Sequence, residues 1–315
     1  MKAIVVRELG GPEVLVLSDV DVPSCADDEV RIRVHAVGVN PVDTYIRSGN
    51  YGPRAVPYTP GSDASGIVDA VGAAVTHVAV GDRVYTSATR TGSYAELAVA
   101  PASRVHALPA QVSFEGGAAM GTAAATAFFA LTRGDAKPGD TVLVHGASGG
   151  VGIAAVQLAR ARGCTVIGTA STEEGRKLAA SVGAHHVAAH DDLQRILSLT
   201  NGRGVDVVLE MLANESLGKA LTLLAKFGRV VIIGSRGVTQ IDPRDTMSRN
   251  ADIRGLAIAN ASTEEHTRIH AALHAALENG TLRPIIRSSF PLADASAAHR
   301  DIMDGKAQGK IVLTI

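Results

Sequence analysis

The stretch Val142-Leu-Val-His-Gly-Ala-Ser-Gly-Gly-Val-Gly-Ile153 most constrains how this chain can fold. An apolar run ends in a glycine-rich turn, and an alanine-rich segment with helical periodicity follows directly. This order predicts a helix N-terminus that presents backbone N–H groups and a favourable dipole to a phosphate. Gly149 and Gly152 match two glycines of the dinucleotide-binding fingerprint, whereas Ala147 stands where the first is usual. Alone, the motif is equally compatible with a tight turn that needs glycine only for its backbone geometry.

Apolar runs alternate with helical segments from Thr141 onward. The runs are almost continuously apolar, as expected of strands that are buried on both faces of a sheet. Such strands with helices between them predict right-handed βαβ crossovers and a doubly wound parallel sheet. The predicted strands are Thr141–His145, Thr165–Ala170, Val205–Glu210, Arg229–Gly234 and Ile253–Ala259.

Short β-like runs separated by turn signals such as Gly-Gly-Pro dominate residues 1–120, which predicts a compact, mostly β domain. An alanine-rich helix is predicted over 113–134. The strands predicted in this part are Lys2–Arg7, Val14–Ser18, Glu29–Val39, Ser65–Val71, Arg83–Thr86, Tyr94–Val99 and Arg104–Ala107.

The end of the chain is predicted to return to the first domain, with a helix near 263–279 and a last strand over 309–314. We therefore expect the nucleotide-binding domain, residues 123–260, to be inserted into a β domain formed by residues 1–122 and 261–315.

The composition excludes several classes of protein. The 315 residues carry a formal net charge of −1, which gives no electrostatic footprint for nucleic acid or an anionic membrane. No apolar stretch is long enough to span a bilayer. Cys25 and Cys164 cannot form a disulfide framework, and the N-terminus does not resemble a signal peptide, so we expect a cytoplasmic protein.

The end of the second nucleotide-domain strand distinguishes NADH from NADPH. An acidic residue there would hold the ribose 2′-hydroxyl and repel a 2′-phosphate. This chain instead has the neutral sequence Gly168-Thr-Ala-Ser-Thr172, followed by Arg176 and Lys177. We therefore expect NADPH, with Ser171 and Arg176 near the phosphate. The alternative is that Arg176 and Lys177 form a solvated helix face.

Several segments resemble, in the same order along the whole chain, the ζ-crystallin-like NADPH:quinone oxidoreductases. These are zinc-independent members of the medium-chain dehydrogenase/reductase superfamily. The resemblance implies an α/β fold, with a GroES-like, mostly β catalytic domain and a Rossmann domain with a doubly wound parallel sheet. It also implies NADPH as cofactor, a quinone acceptor, and a homodimer or homotetramer. The matching segments are Gly38–Gly49, Pro57–Asp63, Gly146–Gly152, Gly168–Gly175, Glu210–Asn214, Gly234–Gly237 and Asp242–Met247.

Zinc-dependent relatives carry a cysteine and a Gly-His-Glu motif where this chain has Asn40 and Gly61-Ser62-Asp63. Four closely spaced cysteines for a structural zinc are also missing. We therefore expect no metal. Alcohol oxidation needs a Lewis acid to stabilise the alkoxide, whereas a quinone is already electrophilic. It requires a positioned hydride donor and hydrogen-bond donors at its oxygen.

Three residues of the first domain are the catalytic candidates. By resemblance, Tyr45 lines the nicotinamide pocket and positions the acceptor; the alternative is an ordinary half-buried tyrosine. Asn40 is expected to hydrogen-bond a quinone carbonyl, or else to be a turn residue before Pro41. Asp43 either orients Tyr45 or caps the short helix after Pro41, and we favour the cap.

The cofactor-binding residues are assigned partly by resemblance and partly by position at a strand end. His190 is expected near the adenine ribose, although an isolated histidine at a strand end is often a surface residue. Ser216 stands where asparagine is usual, and Arg236 is either a phosphate partner or a loop residue. The strand Leu256–Ala259 is also the predicted sheet edge for pairing two subunits. The full set is Tyr45, Ser148, Gly149, Gly150, Val151, Ser171, Arg176, His190, Ser216, Ile233, Gly234, Ser235, Arg236, Ala257, Ile258 and Ala259.

The sequence therefore predicts a zinc-independent NADPH:quinone reductase with its cofactor in a cleft between the domains. One alternative is a reductase of enones, alkenals or enoyl thioesters, which shares the fold, cofactor and hydride chemistry and differs in its pocket. An alternative of another class is a non-enzymatic NADPH- or RNA-binding crystallin-like protein, against which the near-neutral charge counts.

Overall fold

The computed structural model describes residues 1–304 and 308–315. The chain divides into two compact units, which we take in turn. Residues 1–122, 263–304 and 309–315 form the first unit, and residues 123–262 with 308 form the second.

The N-terminal segment is a succession of short strands with two helices. Its elements are β1 (Lys2–Val5), β2 (Val16–Asp19), β3 (Glu29–Val39), α1 (Pro41–Arg47), β4 (Asp63–Val71), β5 (Arg83–Thr86), β6 (Leu97–Pro101), β7 (Val105–Ala107) and α2 (Phe114–Arg133).

Strands and helices then alternate through the second unit. Its elements are β8 (Thr141–Val144), α3 (Gly150–Ala161), β9 (Thr165–Thr169), α4 (Glu173–Ser181), β10 (His186–Ala188), α5 (Leu193–Ser198), β11 (Val205–Glu210), α6 (Ala213–Thr222), β12 (Leu224–Ile232), α7 (Pro243–Met247) and β13 (Asp252–Gly255).

The C-terminal segment returns to the first unit and contributes both helices and strands to it. Its elements are α8 (Thr263–Glu278), β14 (Ile286–Pro291), α9 (Ala295–Asp304) and β15 (Lys310–Thr314).

A seven-stranded sheet organises the first unit. Its order is β14-β15-β3-β4-β5-β7, and β6 also pairs with β3. The pairings of β3 with β4, β6 and β15 are antiparallel. Val34, Val37 and Val39 of β3 pack with Ile311 and Leu313 of β15 in one core of this unit. The arrangement confirms the predicted GroES-like domain.

A six-stranded parallel sheet of order β10-β9-β8-β11-β12-β13 organises the second unit. Leu143, Ile167 and Val208 have no exposed surface and lie in one core cluster with residues of the flanking helices. This burial on both faces explains the continuous apolar runs of the sequence. The sheet is the predicted Rossmann arrangement, because its order reverses between β8 and β11.

Some element boundaries differ from those predicted. The predicted strand Ile253–Ala259 ends at Gly255, and Ile258–Asn260 form a 3₁₀ turn instead. Strands β10 and β14 and helix α9 were not predicted. His186-Val-Ala188 is too short to form a recognisable apolar run, and β14 has polar residues at three of its first four positions, so neither carries a strand pattern.

Candidate active site

The glycine-rich turn connects β8 to α3 through a closely packed backbone. Gly146 adopts a left-handed φ of 65°, and the Ala147 N–H donates to the Thr169 carbonyl at 2.9 Å. A Cβ atom at Gly152 would collide with the Gly146 carbonyl oxygen. Ser148 is buried, and α3 begins at Gly150 with N–H groups that have no intrahelical acceptor. The turn therefore forms a glycine-rich cradle of backbone N–H groups that suits a pyrophosphate.

The cradle lies at the carboxyl ends of the parallel strands, where the strand order reverses. In open α/β sheets, ligands bind in the crevice at this point. Two buried ionisable residues flank it here: His145 directly follows β8, and Glu210 is the last residue of β11. Sequence reasoning did not select either residue as part of the site, although each ends a predicted strand.

The end of β9 is neutral and lies beside a cationic group. Arg176 donates to the Ala170 carbonyl at 3.2 Å, which holds its guanidinium at the β9–α4 connection. Thr172 caps α4 by accepting the Gly175 N–H at 3.0 Å. Lys177 forms an exposed ion pair with Glu173 at 2.7 Å. Lys177 therefore lies on a solvated helix face, which was the alternative interpretation for both Arg176 and Lys177.

His190 belongs to a hydrogen-bonded chain and is not an isolated surface residue. Its Nδ1 lies 2.7 Å from Oγ1 of Thr169, and the same hydroxyl lies 3.0 Å from Nδ1 of His145. Burial, together with the charge of His145, lowers the pKa of His190. The half-buried His190 ring therefore lies at one end of a hydrogen-bonded chain that reaches His145, directly after β8.

Other predicted cofactor residues occupy the loop after β12. Ile233 donates its N–H to the Glu210 carbonyl at 2.9 Å, and the Arg236 N–H donates to Asn214 Oδ1 at 2.8 Å. Gly234 fits closely, because its Cβ would lie 2.5 Å from the Met211 carbonyl oxygen. Ser235 is exposed and donates to the Gly237 carbonyl.

The remaining predicted cofactor residues lie on helices or in the segment after β13. Ser216 lies on α6, where its hydroxyl donates to the Leu212 carbonyl at 3.1 Å. Val151 lies in the first turn of α3. Ala257 is extended and Ile258 and Ala259 belong to the 3₁₀ turn, so these three lie beyond the strand on which they were predicted.

The catalytic candidates lie in the first unit around a buried cation. Asn40 donates from Nδ2 to Asp63 at 3.0 Å, and its Oδ1 accepts a short hydrogen bond from Nζ of Lys310. Lys310 also donates to the Val39 carbonyl at 2.9 Å. The hydrogen bond from Asn40 to a quinone carbonyl stays a prediction. Asn40 would have to donate the second hydrogen of its amide to the quinone, and in this structure the amide nitrogen lies 3.4 Å from the Gly38 carbonyl oxygen.

Asp43 caps α1, as favoured from the sequence, because its carboxylate accepts the Asn40 N–H at 2.9 Å. A chain of side chains that the sequence did not reveal leads to the same carboxylate. Burial lowers the pKa of His299 to about 3, so its ring is neutral. The guanidinium of Arg47 must donate to Nδ1 of His299, at 3.2 Å.

This tautomer fixes the direction of the remaining bonds. Nε2 of His299 carries the proton and donates to the Tyr94 hydroxyl at 2.9 Å. Tyr94 in turn donates to Oδ2 of Asp43 at 3.4 Å. Burial raises the pKa of Asp43 to about 7 despite the hydrogen bond from Asn40. The carboxyl group is therefore poised to exchange a proton near neutral pH.

A cavity of about 110 Å³ opens in the first unit beside this carboxyl group. Tyr45 lies half-buried on α1, two residues after Asp43. The residues around the cavity combine polar and apolar groups; they are Asp43, Ile46, Arg54, Tyr58, Thr59, Pro60, Gly61, Ser62, Thr89 and Gly92.

Within residues 1–304 and 308–315, no group of three or more histidine, cysteine, aspartate or glutamate residues is arranged to hold a metal ion. The helices of these same residues include none that is long and apolar enough to cross a membrane.

Comparison with known proteins identifies the family. Residues 26–110 match the model of the alcohol dehydrogenase GroES-like domain, and residues 150–275 match that of the zinc-binding dehydrogenases. Human quinone oxidoreductase is 47% identical over 322 aligned positions, covering 100% of this chain and 98% of the human protein.

Two solved structures superimpose over the full length of both chains. A mycobacterial protein complexed with NADPH is 35% identical, with a TM-score of 0.93. The Escherichia coli quinone oxidoreductase complexed with NADPH is 30% identical, with a TM-score of 0.92. The chain belongs to the quinone oxidoreductases of the medium-chain dehydrogenase/reductase superfamily.

Proposed function

From this family membership, we propose that the protein is an NADPH-dependent reductase of quinones. The observation that carries the proposal is the phosphate cradle of residues 146–152. It adjoins the end of β9, which has no acidic residue and is hydrogen-bonded by the guanidinium of Arg176. The quinone oxidoreductases among its relatives and the NADPH complexes among its structural neighbours support both parts of the proposal.

The second unit supplies the cofactor site. The N–H groups at the start of α3 bind the pyrophosphate, and Gly152, which has no side chain, lets α3 pack closely against the Gly146 carbonyl of the turn. Ser171 and Arg176 bind the 2′-phosphate, since an arginine forms strong charge-assisted bonds with phosphate oxygens. His190 lies near the adenine ribose, and residues 233–236 continue the site along the strand ends.

The first unit supplies the acceptor site. NADPH provides a hydride, so the protein needs to position the acceptor and control a proton. Tyr45 orients the quinone through its phenol, as the resemblance implies. Asp43 supplies or accepts a proton, because a pKa of about 7 allows it to change protonation state near neutral pH. Asn40 acts mainly as a positioning residue, since its amide holds Asp63 and Lys310.

Independence of zinc is part of the proposal. The Asn40 and Asp63 side chains already bind the ammonium group of Lys310, whose Nζ lies 3.8 Å from Oδ2 of Asp63. A divalent cation at the same side chains would be repelled by this buried positive charge. The predicted cleft between the domains and the homodimer or homotetramer remain proposals. β13 is an edge strand of the six-stranded sheet, and three of its four residues are exposed, which is compatible with pairing.

The test is steady-state oxidation of NADPH by a naphthoquinone. We expect turnover that requires both substrates, no zinc by elemental analysis, and unchanged activity after treatment with a chelator. Loss of activity with the chelator, restored by added zinc, would overturn the zinc-independent part. Absence of quinone-dependent NADPH oxidation would overturn the whole proposal.

A further inference from the structure

Two buried polar atoms face each other in the crevice between β8 and β11. Nε2 of His145 and Oε2 of Glu210 lie 3.8 Å apart, which is too far for a direct hydrogen bond. Neither atom has a hydrogen-bond partner among the residues that the structure describes. The two side chains are 6% and 0% exposed. A buried pair left in this condition is costly and calls for an explanation.

The opposite end of each side chain is held in place. Nδ1 of His145 lies 3.0 Å from the Thr169 hydroxyl, and Oε1 of Glu210 accepts the Leu212 N–H at 2.8 Å. Turning either group away would break one of these bonds. The two unpartnered atoms are therefore held facing each other, at the carboxyl ends of β8 and β11, where ligands bind in open α/β sheets.

The charge of this pair depends on one proton. Burial lowers the pKa of His145 to about 4, so its ring is neutral when Glu210 is ionised, and the pair then carries −1. Burial also raises the pKa of Glu210, which favours a neutral pair. The proton that neutralises the pair resides on either the ring or the carboxyl group, so the two groups titrate as a coupled pair.

Few other groups act on the pair. His190, from the loop after β10, faces Glu210 and lowers its pKa, as do the Ser216 hydroxyl and the N–H groups of Leu212 and Met211. Arg176 of α4 and Asp191 act on His190 with opposite signs. The charges of Arg176 and Asp191 therefore oppose each other at His190.

We propose that His145 and Glu210 form a proton-uptake site, which gains a proton from solvent when the anionic dinucleotide binds in the crevice. The inference rests on the proposed function, because the anion is the pyrophosphate of NADPH. A negative charge at the cradle disfavours the −1 form of the pair and favours the neutral form.

The chain Thr169–His190 offers the proton a route. The Thr169 hydroxyl contacts Nδ1 of both histidines, so it donates to one ring while accepting from the other. Reversing this direction moves a proton between the half-buried His190 and the buried pair.

Proton uptake makes cofactor affinity depend on pH with a defined sign. Because the bound state holds more protons, affinity falls as pH rises, by up to about tenfold per pH unit for one full proton. A glutamine at position 210 cannot change charge, so Glu210→Gln loses this dependence. Glu215→Gln, an exposed change in the first turn of α6, the helix that follows Glu210, keeps this dependence.

The experiment is titration calorimetry of the full-length protein with NADPH in buffers of different ionisation enthalpy at one pH. We expect uptake of a fraction of a proton up to one proton by the wild type and by Glu215→Gln. Uptake should persist with NADH, which has no 2′-phosphate. The Glu210→Gln protein should take up fewer protons than the wild type when it binds NADPH. It should also bind NADPH more tightly than the wild type at high pH.

Binding without proton uptake in the wild type would overturn this inference and leave the proposed function intact. No binding of NADPH at all would overturn the proposed function itself. Unchanged uptake in a folded Glu210→Gln protein, checked by circular dichroism, would also overturn the inference. If that variant does not fold, the wild-type titrations with NADPH and NADH decide.

Discussion

Nζ of Lys310 and Oδ2 of Asp63 lie 3.8 Å apart in the interior of the first unit, where their side chains are 7% and 0% exposed. The Thr122 N–H donates to the other carboxylate oxygen of Asp63 at 2.9 Å. Burial lowers the pKa of Lys310, and the charges of Asp63 and Asp43 oppose that effect. Both members of this ion pair hydrogen-bond the side chain of Asn40, the residue that caps the N-terminus of α1.

Removing the cation should destabilise this unit. Lys310→Met keeps most of the side-chain volume but leaves the Asp63 carboxylate buried without its partner. Such a change costs about 3–5 kcal/mol of unfolding free energy. Urea unfolding monitored by circular dichroism measures it. As a control, Lys177→Met removes one partner of an exposed pair and should cost less than about 1 kcal/mol. Equal effects of the two changes would contradict a structural role for the buried pair.

Asp43 should make stability depend on pH. Its folded pKa of about 7 lies above the ordinary value of 3.8, so the folded state favours the protonated form. Relative to Asp43→Asn, the wild type should lose stability by about 1.4 kcal/mol per pH unit as pH rises from 4.5 to 6.5. The loss should level off above pH 7.

The measurement is urea unfolding of both proteins at several pH values. Asp21→Asn, at an exposed position, should track the wild type throughout. A constant difference between the wild type and Asp43→Asn across this pH range would refute the buried, protonated carboxyl group.

The strand pattern of the second unit could be predicted because continuous apolar runs indicate parallel strands buried on both faces. Val205–Glu210 was predicted with its observed bounds, as was Glu29–Val39 of the first unit. β12 was placed too late, since it begins at Leu224 and passes through Phe227 at a left-handed φ of 63°. An exposed phenylalanine in that conformation breaks the pattern that sequence reasoning follows.

Gly152 should be intolerant of any side chain. In Gly152→Ala the new Cβ would meet the Gly146 carbonyl, so the cradle must open and NADPH affinity should fall by at least about tenfold. Titration of cofactor fluorescence measures this loss. Gly218→Ala is the matched control, because its Cβ would meet only the Gln240 carbonyl, at 3.7 Å. It should bind normally and gain up to about 1 kcal/mol of stability from helix propensity. Normal NADPH binding by Gly152→Ala would remove the turn from the site.

Arg176 should select the phosphorylated cofactor. Arg176→Ala should lower the affinity for NADPH by about tenfold to a hundredfold, since a charge-assisted hydrogen bond contributes about 1.5–3 kcal/mol. The affinity for NADH should be almost unchanged, because NADH has no 2′-phosphate. Binding titrations with both cofactors measure the selectivity, and Lys177→Ala serves as control because that lysine pairs with Glu173. Equal losses of affinity for NADPH and NADH would show that Arg176 supports the local structure and does not bind the 2′-phosphate.

The candidate site of the second unit consists mainly of local sequence motifs. The candidate site of the first unit depends mainly on contacts between residues that are far apart in the chain. The glycine turn and the neutral β9 end are local, so their chemistry could be predicted from a few adjacent residues. Tyr94 and His299 come together with Asp43 across more than 200 positions of the chain, and no local pattern marks them. Lys310 reaches Asn40 across a similar separation. For that reason the sequence did not reveal the buried partners of Asn40.

The acceptor preference with NADPH tests the central claim most directly. Initial rates should be compared for a benzoquinone, a naphthoquinone, an alkenal and an enoyl-CoA under the same conditions. The proposed function predicts kcat/KM for the quinones well above that for either enone class. Slow quinone reduction beside fast reduction of an alkenal or enoyl-CoA would contradict it and assign the protein to enone chemistry.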